Sequence, residues 1–374
     1  MKKVFMFVNV DWFFISHRKP IAEAANQYNI KMSVYTDFTL DHSLHDHAKF
    51  GLYHSPLSRS SNFIRSGIIE VLKSYKLIFR EKPDLIHAVT IKPMIILGIV
   101  ARLTKTPFIG AISGLGPVFT KSTWLHKVRF KLVTLVYRFI FSPSSAIVIC
   151  QSGHDKNILV SQGICAQSKI SIINGSGVDL KKFSPDKSTP GEAYILMASR
   201  MLRDKGVKEF CKAAKIIYED QDYQIKFKLA GPLDELSPTA ISENELRHLC
   251  EDSNVEYLGN REDVNVLLAS ALIFVLPSYY PEGIPKVLLE AAGTGTSVIT
   301  TDHPGCRDAV VDRVTGILVE PKDASAIVRA ISNLLEDPEA IENMGLAGRK
   351  HAEKHFDQNK VVQAHFEIYH NIID

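Results

Sequence analysis

Short apolar runs rich in β-branched residues alternate with longer amphipathic stretches along nearly the whole chain of 374 residues. The runs at 4–10 and 146–150, and later at 194–199 and 272–278, are apolar almost throughout, which is typical of strands buried on both faces of a parallel sheet. Segments of helical period lie between them, and the pattern occurs in both halves of the chain. The sequence therefore predicts an α/β fold with two doubly wound parallel sheets, whose strands end at a ligand-binding cleft.

The charge of the chain changes sign near its middle. Residues 1–185 carry 24 Lys and Arg against 10 Asp and Glu, whereas residues 186–374 carry 20 against 31. No acidic residue lies between Asp84 and Asp155, so we expect the first half to meet an anionic partner. The junction is rich in Gly, Ser, Pro and Lys, and it predicts one domain at 1–180 and a second at 181–355.

The composition excludes several classes of protein. Hydrophobic residues make up 45% and charged residues 23%, as in ordinary globular chains and unlike disordered or fibrous ones. The longest apolar run, Met94–Ala101, is far shorter than the roughly 20 residues needed to span a bilayer. Five cysteines are widely spaced without a C-x-x-C pair, which argues against disulfides or a zinc site and favours the reducing cytoplasm.

The densest functional signal lies in 276–310, LPSYYPEGIPKVLLEAAGTGTSVITTDHPGCRDAV. Glu282 precedes a Gly-Ile-Pro sequence (283–285) that opens a predicted helix with the proline at its first position. A helix start attracts a phosphate or a sugar hydroxyl. Glu290 would lie about two turns further along the same face, on an apolar segment where a carboxylate needs a partner. That partner is either a pair of sugar hydroxyls or a salt bridge.

Two cations follow the strand at 194–199. Arg200 comes directly after it, and Lys205 precedes a helix that begins near Gly206. Cations at a strand-to-helix turn can neutralise a diphosphate, and arginine can do so with two hydrogen bonds at once. A solvated basic loop is the alternative interpretation.

These motifs together resemble a known family. The pattern S-R-x4-K-G (199–206) followed by E-G-I-P-x4-E-A (282–291) is similar to the family-4 retaining glycosyltransferases of GT-B architecture, in which two Rossmann-like domains face each other across a cleft. NGSGVD (174–179) and LGNREDV (258–264) resemble the same family. The opening NVDWFFISHRKP (9–20) has a His-Arg-x-Pro sequence where many relatives have a Gly-rich loop. It resembles the bacterial enzymes that extend lipid-linked (undecaprenyl-diphosphate) surface saccharides.

The resemblance implies roles for these residues. Arg200 and Lys205 would be catalytic, holding the donor diphosphate and stabilising the leaving group, and Glu282 would be catalytic by orienting the donor hexose. Glu290 would accept hydrogen bonds from the ribose hydroxyls. The amides of three residues and one further side chain would complete the donor site: Gly283, Ile284, Pro285 and Arg261. The segment 356–374 would be a helix that packs back on the first domain.

The first half offers weaker signals. Two pairs of residues follow predicted strands and are assigned to the acceptor side: Ser16, His17, Ser113 and Gly114. The segment 110–141 interleaves basic and aromatic residues on a predicted helix, which is typical of an element that lies on a membrane surface. Its membrane-facing residues would be Phe119, Trp124, Lys127, Arg129 and Lys131. Alternatives are a capping or core role for His17 and an ordinary solvated face for the helix, and no nucleic-acid motif accompanies the basic residues.

No metal or other cofactor is expected. The D-x-D sequence at Asp220 and Asp222 is interpreted as a surface turn, and the histidines at 42, 45 and 47 have no matching distant ligand. The resemblance implies a metal-independent family, which agrees with two cations placed to neutralise a diphosphate.

The sequence thus predicts a retaining hexosyltransferase that moves a hexose or N-acetylhexosamine from a nucleotide sugar, UDP-linked in the simplest case, to a lipid-diphosphate-linked saccharide. It would be cytoplasmic, attached to the inner face of the membrane, and act in surface polysaccharide (O-antigen-type) synthesis. Front-face attack is implied, because no protein nucleophile is evident. Two alternatives remain open: a GT-B nucleotide-sugar 2-epimerase, and a catalytically silent GT-B subunit that recruits a partner to the membrane.

Overall fold

The structure is a computed structural model that describes residues 1–39, 50–57, 63–114, 124–185, 193–219 and 224–374, without the side chains of 63–66, 124–127 and 129. The chain divides into two compact units. The first unit comprises Met1–Ser176 with Asn359–Asp374, and the second unit comprises Gly177–Gln358.

The first unit is a parallel sheet with helices on both faces. Its described strands are β1 (Lys2–Val10), β2 (Ile30–Asp37), β3 (Gly51–His54), β4 (Leu85–Val89), β5 (Phe108–Ile112), β6 (Ala146–Cys150) and β7 (Ile170–Ile172), in the order β3-β2-β1-β4-β5-β6-β7. Its helices are α1 (Asp11–His17), α2 (Lys19–Ala24), α3 (Phe63–Glu81), α4 (Ile91–Thr104), α5 (Trp124–Phe141) and α6 (Gly153–Ser161). The short edge strand β3 was not predicted, because its four residues are only partly buried and carry no continuous apolar run.

The second unit repeats this architecture. Its described strands are β8 (Tyr194–Ala198), β9 (Lys226–Ala230), β10 (Val255–Tyr257), β11 (Ile273–Leu276), β12 (Ser297–Thr301) and β13 (Gly316–Val319), in the order β10-β9-β8-β11-β12-β13. Its helices are α7 (Val207–Glu219), α8 (Glu243–Ser253), α9 (Val264–Ser270), α10 (Lys286–Gly293), α11 (Pro304–Arg307), α12 (Ala324–Glu336) and α13 (Pro338–His355). Both sheets are parallel, which confirms the predicted doubly wound α/β fold.

The segments around the domain junction belong to the second unit. Val178 forms an isolated parallel bridge with Asp357, and its N–H donates to the Phe356 carbonyl at 2.8 Å. The Arg349 guanidinium also donates to the Phe183 carbonyl at 2.8 Å. These contacts draw both 177–180 and 356–358 into the second unit, whereas the sequence placed 1–180 in the first domain and began the C-terminal segment at 356.

The last helix, α14 (Gln358–Ile373), packs on the first unit. Its apolar face includes Val361 and Phe366, and the Phe366 ring stacks on Tyr28 with centroids 4.1 Å apart. Near the end of the helix, Lys2 Nζ donates to the Ile373 carbonyl at 2.6 Å. The C-terminus is therefore bound to the same sheet as the N-terminal strand.

A buried polar cluster fastens α14 to this sheet. His87 Nδ1 in β4 and the Tyr369 hydroxyl are hydrogen-bonded at 2.6 Å. His365 Nδ1 lies 2.8 Å from the Val361 carbonyl, and since a carbonyl only accepts, the ring carries a proton on Nδ1. Arg18 is 2% exposed, and burial lowers the pKa of its guanidinium to about 10. Arg18 of the His-Arg-x-Pro sequence is therefore a core residue of the first unit.

Acid should weaken the docking of α14. Burial and the positive charge of Arg18 lower the pKa of His365 to about 3, and burial lowers the pKa of His87 well below its ordinary value. The pKa of histidine in the unfolded chain is about 6.5, so above that pH each buried histidine makes its full contribution to the free energy of unfolding. As the pH drops from there towards the folded pKa, this free energy falls by roughly 1.4 kcal/mol per pH unit for each histidine.

We expect the α14 amides to lose hydrogen-exchange protection between about pH 7 and about pH 5, after correction for the intrinsic exchange rate. His365→Gln removes one of the titrating rings and should reduce this loss. The same pH dependence in wild type and variant would contradict the assignment.

Candidate active site

The strand order of the second sheet reverses between β8 and β11, and such a switch point is where doubly wound sheets bind ligands. Arg200 lies in the loop after β8, and Glu282 lies in the loop after β11. The two loops are joined, because the Tyr279 N–H donates to the Asp204 carbonyl at 2.9 Å and the Ser278 hydroxyl donates to the same oxygen at 3.4 Å. The switch point thus holds both loops at fixed positions.

Gly206 allows this close approach. Its φ of 83° lies in the left-handed region, and a Cβ at this position would be 2.3 Å from the Pro277 carbonyl oxygen. Lys205 immediately precedes the glycine and is only 7% exposed. The side chain of Lys205 is therefore buried against the loop after β11.

Five side chains form what we call the cation cluster: Arg200, Lys205, Asp234, Tyr280 and Glu282. Lys205 Nζ donates to Glu282 Oε1, and an Arg200 guanidinium nitrogen donates to Asp234 Oδ2 at 2.6 Å. The Tyr280 ring centroid lies 5.2 Å from Lys205 Nζ and 6.0 Å from Arg200 Cζ, within cation–π range. The structure thus brings together the three residues that the sequence assigned to catalysis.

The sequence reasoning missed Asp234 and Tyr280. Asp234 follows strand β9, which neighbours β8, so its position after a strand was the available signal. Tyr280 lies in the S-Y-Y-P-E-G lead-in, where the pattern did not reveal that the ring faces two cations. Both residues restrict where the cations can lie, since a carboxylate and an aromatic face each attract positive charge.

The loop that enters α10 differs from the prediction at Pro285. The proline is the residue before the helix (φ −61°, ψ 121°), and the helix begins at Lys286. Proline carries no N–H, so the predicted amide donor at Pro285 is wrong on chemical grounds. Gly283 and Ile284 do have amides, and both residues are buried in this loop.

Helix α11 packs against the backbone of the same loop. A Cβ on Gly305 would lie 2.2 Å from the Gly283 carbonyl oxygen and 2.8 Å from that of Glu282. The Thr301 hydroxyl also donates to the Ser278 carbonyl at the start of the loop. The backbone of the Glu282 loop is therefore packed directly on the segment after β12.

Glu290 lies on α10 with its side chain 14% exposed, and Lys286 Nζ is 3.6 Å from its Oε1. Burial raises the pKa of this carboxyl, although Lys286 and Lys182 act in the opposite direction. The contact with Lys286 is longer than a good hydrogen bond, so the carboxylate keeps capacity to accept from hydroxyl groups. Glu290 is thus an enclosed carboxylate and not a solvated one.

Arg261 follows β10, which is separated from β8 by β9. Its guanidinium donates twice to the Asp263 carboxylate, at 2.8 Å and 2.6 Å, and its side chain is 43% exposed. The structure therefore places Arg261 at the edge of the sheet in a local ion pair. Its role in donor binding stays a prediction.

The acceptor-side residues lie in two segments that follow strands of the first unit, β1 and β5. Ser16 and His17 are at the end of α1, where the His17 ring stacks on Phe13 with centroids 4.2 Å apart. Ser113 and Gly114 follow β5, and Gly114 has a φ of 102°. Their part in acceptor binding stays a prediction.

Several predicted features lie outside the described residues, namely Phe119, the Asp220–Asp222 sequence and the histidine-rich stretch 42–47. Among the residues that the structure describes, no three His, Cys, Asp or Glu side chains are gathered so as to hold a metal ion. None of the helices in these parts of the chain combines the length and apolar character that crossing a bilayer requires.

Two doubly wound parallel units in one chain are the architecture of the GT-B class of proteins. The solved structure of Anabaena HepE in complex with UDP and glucose has this fold, with a TM-score of 0.77 and 17% identity over 99% of each chain. The predicted GT-B architecture is thereby confirmed.

Within that class, the chain belongs to the glycosyltransferases. Residues 180–351 match the family model of glycosyl transferases group 1, and residues 3–152 match that of glycosyl transferase 4-like proteins. Together these two matches span most of the chain. The predicted glycosyltransferase activity is confirmed.

Curated relatives agree with this assignment. The chain is 28% identical over 288 residues to the Campylobacter jejuni N,N'-diacetylbacillosaminyl-diphospho-undecaprenol alpha-1,3-N-acetylgalactosaminyltransferase, covering 73% of each chain. It is 29% identical over 288 residues to the Escherichia coli UDP-Gal:alpha-D-GlcNAc-diphosphoundecaprenol alpha-1,3-galactosyltransferase, covering 71% of this chain and 70% of the relative.

Proposed function

We propose that this glycosyltransferase moves a hexose or an N-acetylhexosamine from a UDP-sugar to a saccharide carried on a lipid diphosphate, with retention at the anomeric carbon. The main support is the cation cluster at the switch point of the second sheet, where Lys205 is nearly enclosed and Arg200 lies beside it. The names of the two bacterial relatives, which act on undecaprenyl-diphosphate-linked sugars, support the acceptor class. Those names and the group 1 family match favour transfer over 2-epimerisation.

In this proposal the cluster exchanges partners when the donor binds. Lys205 is paired with Glu282, and Arg200 is paired with Asp234. A diphosphate carries more negative charge than one carboxylate, so it would take over Lys205 and release Glu282 towards the hexose hydroxyls. The amides of Gly283 and Ile284 would contribute further donors to the same sugar.

The reaction requires only one bond exchange. The bond between the anomeric carbon and the β-phosphate oxygen breaks, and the acceptor hydroxyl oxygen bonds to the same face of that carbon. The hydroxyl proton passes to the departing phosphate, which leaves as UDP. Arg200 and Lys205 would stabilise the charge that develops on this leaving group, so no metal ion is expected to be needed.

Glu290→Ala should weaken UDP binding by about 1.5–3 kcal/mol, because the ribose hydroxyls lose a charged, enclosed acceptor. Isothermal titration calorimetry with UDP measures the loss directly. Glu339→Ala is the matched control, because Glu339 is an exposed glutamate of the same unit. If both variants bind UDP like wild type, Glu290 does not contact the donor.

The proposed activity is tested by incubating the protein with a panel of UDP-sugars and an undecaprenyl-diphosphate-linked saccharide, with and without excess EDTA. We expect one UDP-sugar to elongate the acceptor in both conditions. Conversion of the sugar without acceptor would indicate an epimerase, and absence of UDP binding would indicate a silent subunit. Loss of activity in EDTA with rescue by Mg²⁺ or Mn²⁺ would overturn the metal-independent mechanism.

We further infer that the first unit binds an anionic membrane, where a lipid-linked acceptor resides. The predicted helix is present as α5, in which Lys131 is exposed, whereas the side chains of Trp124, Lys127 and Arg129 are not described. Four apolar residues of α5 are 41–59% exposed and share one face of the helix: Val128, Leu132, Leu135 and Phe139. A contiguous apolar stripe that is exposed to solvent in this way marks an interaction site.

A second exposed stripe lies on α3, which the sequence did not predict as part of a membrane surface. Its apolar residues Ile68, Leu72 and Phe79 are 62–72% exposed at helical spacing. Helix α4 packs against both α3 and α5, so the three helices form one layer on the sheet. Helices α4 and α5 carry no acidic residue, and α3 carries four Lys and Arg against two Glu. The layer is therefore basic, which favours anionic lipid over a protein partner.

Leu132→Glu with Leu135→Glu should release the protein from vesicles containing anionic lipid. Each leucine contributes about 1.5–3 kcal/mol when it is fully buried in lipid, and each new carboxylate is repelled by the surface, so partitioning should fall by more than about 100-fold. Sedimentation of the protein with vesicles measures this partitioning.

The matched control is Leu236→Glu with Leu346→Glu, which changes two exposed leucines of the second unit. We expect this control to sediment with vesicles as wild type does. Equal binding by the α5 variant and wild type would show that the stripe does not enter the bilayer.

A further inference from the structure

A groove of about 920 Å³ lies in the first unit beside the edge strand β3. Its floor is formed by β1, β2 and β3, and one wall is α3. The groove runs from Lys3 and Lys31, near the amino-terminal ends of β1 and β2, to residues 54–56 at the carboxyl end of β3. None of the four residues assigned to the acceptor side is among its described lining residues. Nothing in the proposed transfer reaction makes use of it.

Aromatic rings form much of the floor of this groove. Phe5, Ser33 and Gly51 lie in one row across the three strands, and the Tyr53 ring covers Gly51, where a Cβ would lie 2.6 Å from a ring carbon. In the next row, the rings of Phe7, Tyr35 and Tyr53 stack in sequence, with centroid distances of 4.7 Å and 5.2 Å. The row ends in Tyr53, which is 48% exposed.

The rim of the groove is strongly basic. Five cationic side chains line it, namely Lys3, Lys31, Lys73, Lys76 and Arg80. Glu81 is the one carboxylate among the described lining residues. The carboxylate is bound by its neighbour, because Arg80 Nε donates to Glu81 Oε1 at 2.9 Å. Burial raises the pKa of Tyr35 to about 12, so its hydroxyl stays neutral. The groove therefore presents lysine ammonium groups around an aromatic floor, which suits a phosphate.

The helix that forms the wall also carries the exposed stripe of the membrane surface. Successive residues of α3 are about 100° apart round the helix axis. Relative to Leu72, Lys76 therefore lies about 40° away, Arg80 about 80° and Lys73 about 100°, so these cations adjoin the face that bears Leu72 and Phe79. A bilayer that covers the apolar stripe would therefore bring its phosphate layer to the mouth of the groove.

We infer that this groove binds the phosphate headgroup of an anionic lipid in the membrane on which the first unit docks. The inference rests on the proposed membrane docking. Groove volume is within the usual range for sites that hold small ligands. A phosphate monoester would be preferred over a diester, since it carries more charge and more free acceptor oxygens for the lysines.

The test uses phosphatidylcholine vesicles that contain either phosphatidic acid or phosphatidylglycerol, adjusted to equal surface potential. Wild type should bind the phosphatidic acid vesicles about tenfold or more tightly, the effect of roughly one charge-assisted hydrogen bond. Lys73→Gln with Lys76→Gln should bring this ratio close to one. Both lysines are exposed, so folding should be retained.

The matched control removes two charges from α4 and α5, by Arg102→Gln with Lys131→Gln, and both of these residues are exposed. It should weaken binding to both kinds of vesicle and leave the ratio unchanged. A wild-type ratio of one, or an unchanged ratio in the Lys73/Lys76 variant, overturns the groove assignment while docking stands. Binding to neither kind of vesicle overturns docking and the lipid assignment together. Equally tight binding of soluble glycerol 3-phosphate, measured by calorimetry, would show that the ligand is a free phosphate ester and not a lipid.

Discussion

Replacement of Lys205 by alanine is expected to lower kcat by about 10²–10³, with a smaller change in KM for the UDP-sugar. Lys205 is 7% exposed and its ammonium nitrogen lies 5.2 Å from the centroid of the Tyr280 ring, where water screens the charge little. Its charge matters most when the bond to the diphosphate breaks, so the loss should fall on turnover. Steady-state kinetics with the identified donor and acceptor measures the two constants.

Two further variants define what Lys205 does. Lys205→Arg keeps the positive charge and should recover part of the lost turnover. Lys208→Ala is the matched control, because Lys208 is a half-exposed lysine three residues later that pairs with Glu245. Wild-type turnover in Lys205→Ala would mean that the switch point of the second sheet is not where the diphosphate leaves.

Gly305→Ala is expected to reduce kcat/KM by at least about 100-fold, although residue 305 itself carries no reactive group. The added methyl group would overlap the backbone oxygens of Glu282 and Gly283, at 2.8 Å and 2.2 Å, and neither is a flexible side-chain end. The loop must therefore move, and a shift of about 1 Å displaces the groups that orient the donor sugar. Overpacking should also cost about 1–3 kcal/mol of stability.

Activity must be compared at a temperature where circular dichroism shows that both proteins are folded. Gly153→Ala serves as the control, because a Cβ at that position meets nothing within 4 Å. If Gly305→Ala retains wild-type kinetics, the Glu282 loop does not need its present position for catalysis.

Much of this molecule could be predicted from the order of its residues. The apolar runs predicted both sheets because a strand buried on two faces has no polar alternation to obscure it. Of the cation cluster, Arg200 stood out because it directly follows such a strand, and Lys205 and Glu282 stood out because each precedes a predicted helix start. Strand ends are local features, so a linear pattern can locate them.

Partners across the fold were not predictable in this way. Asp234 reaches the cluster from the loop after β9, and Tyr280 of the Glu282 loop turns its ring towards cations of the loop after β8. Both contacts depend on the strand order β9-β8-β11, which no local pattern specifies. Arg18 stands in a polar loop sequence, yet it is buried with His87 and with His365 of α14, which lies more than 300 residues later in the chain. Pro285 is the residue before α10 and not its first residue, and hydrophobic periodicity does not locate a helix start to within one residue.

The surface of the first unit shows the same division. Composition predicted a basic region without acids, and helical period predicted α3 and α5 as amphipathic helices. Only the tertiary structure decided that Leu72, Phe79 and Leu132 face outward, because period assigns residues to one face of a helix but does not determine which face the sheet covers. The sequence by itself thus determined the elements and the chemical groups at their ends. The tertiary structure decided which groups meet and which stay exposed, because those contacts depend on the packing of segments that are distant in the chain.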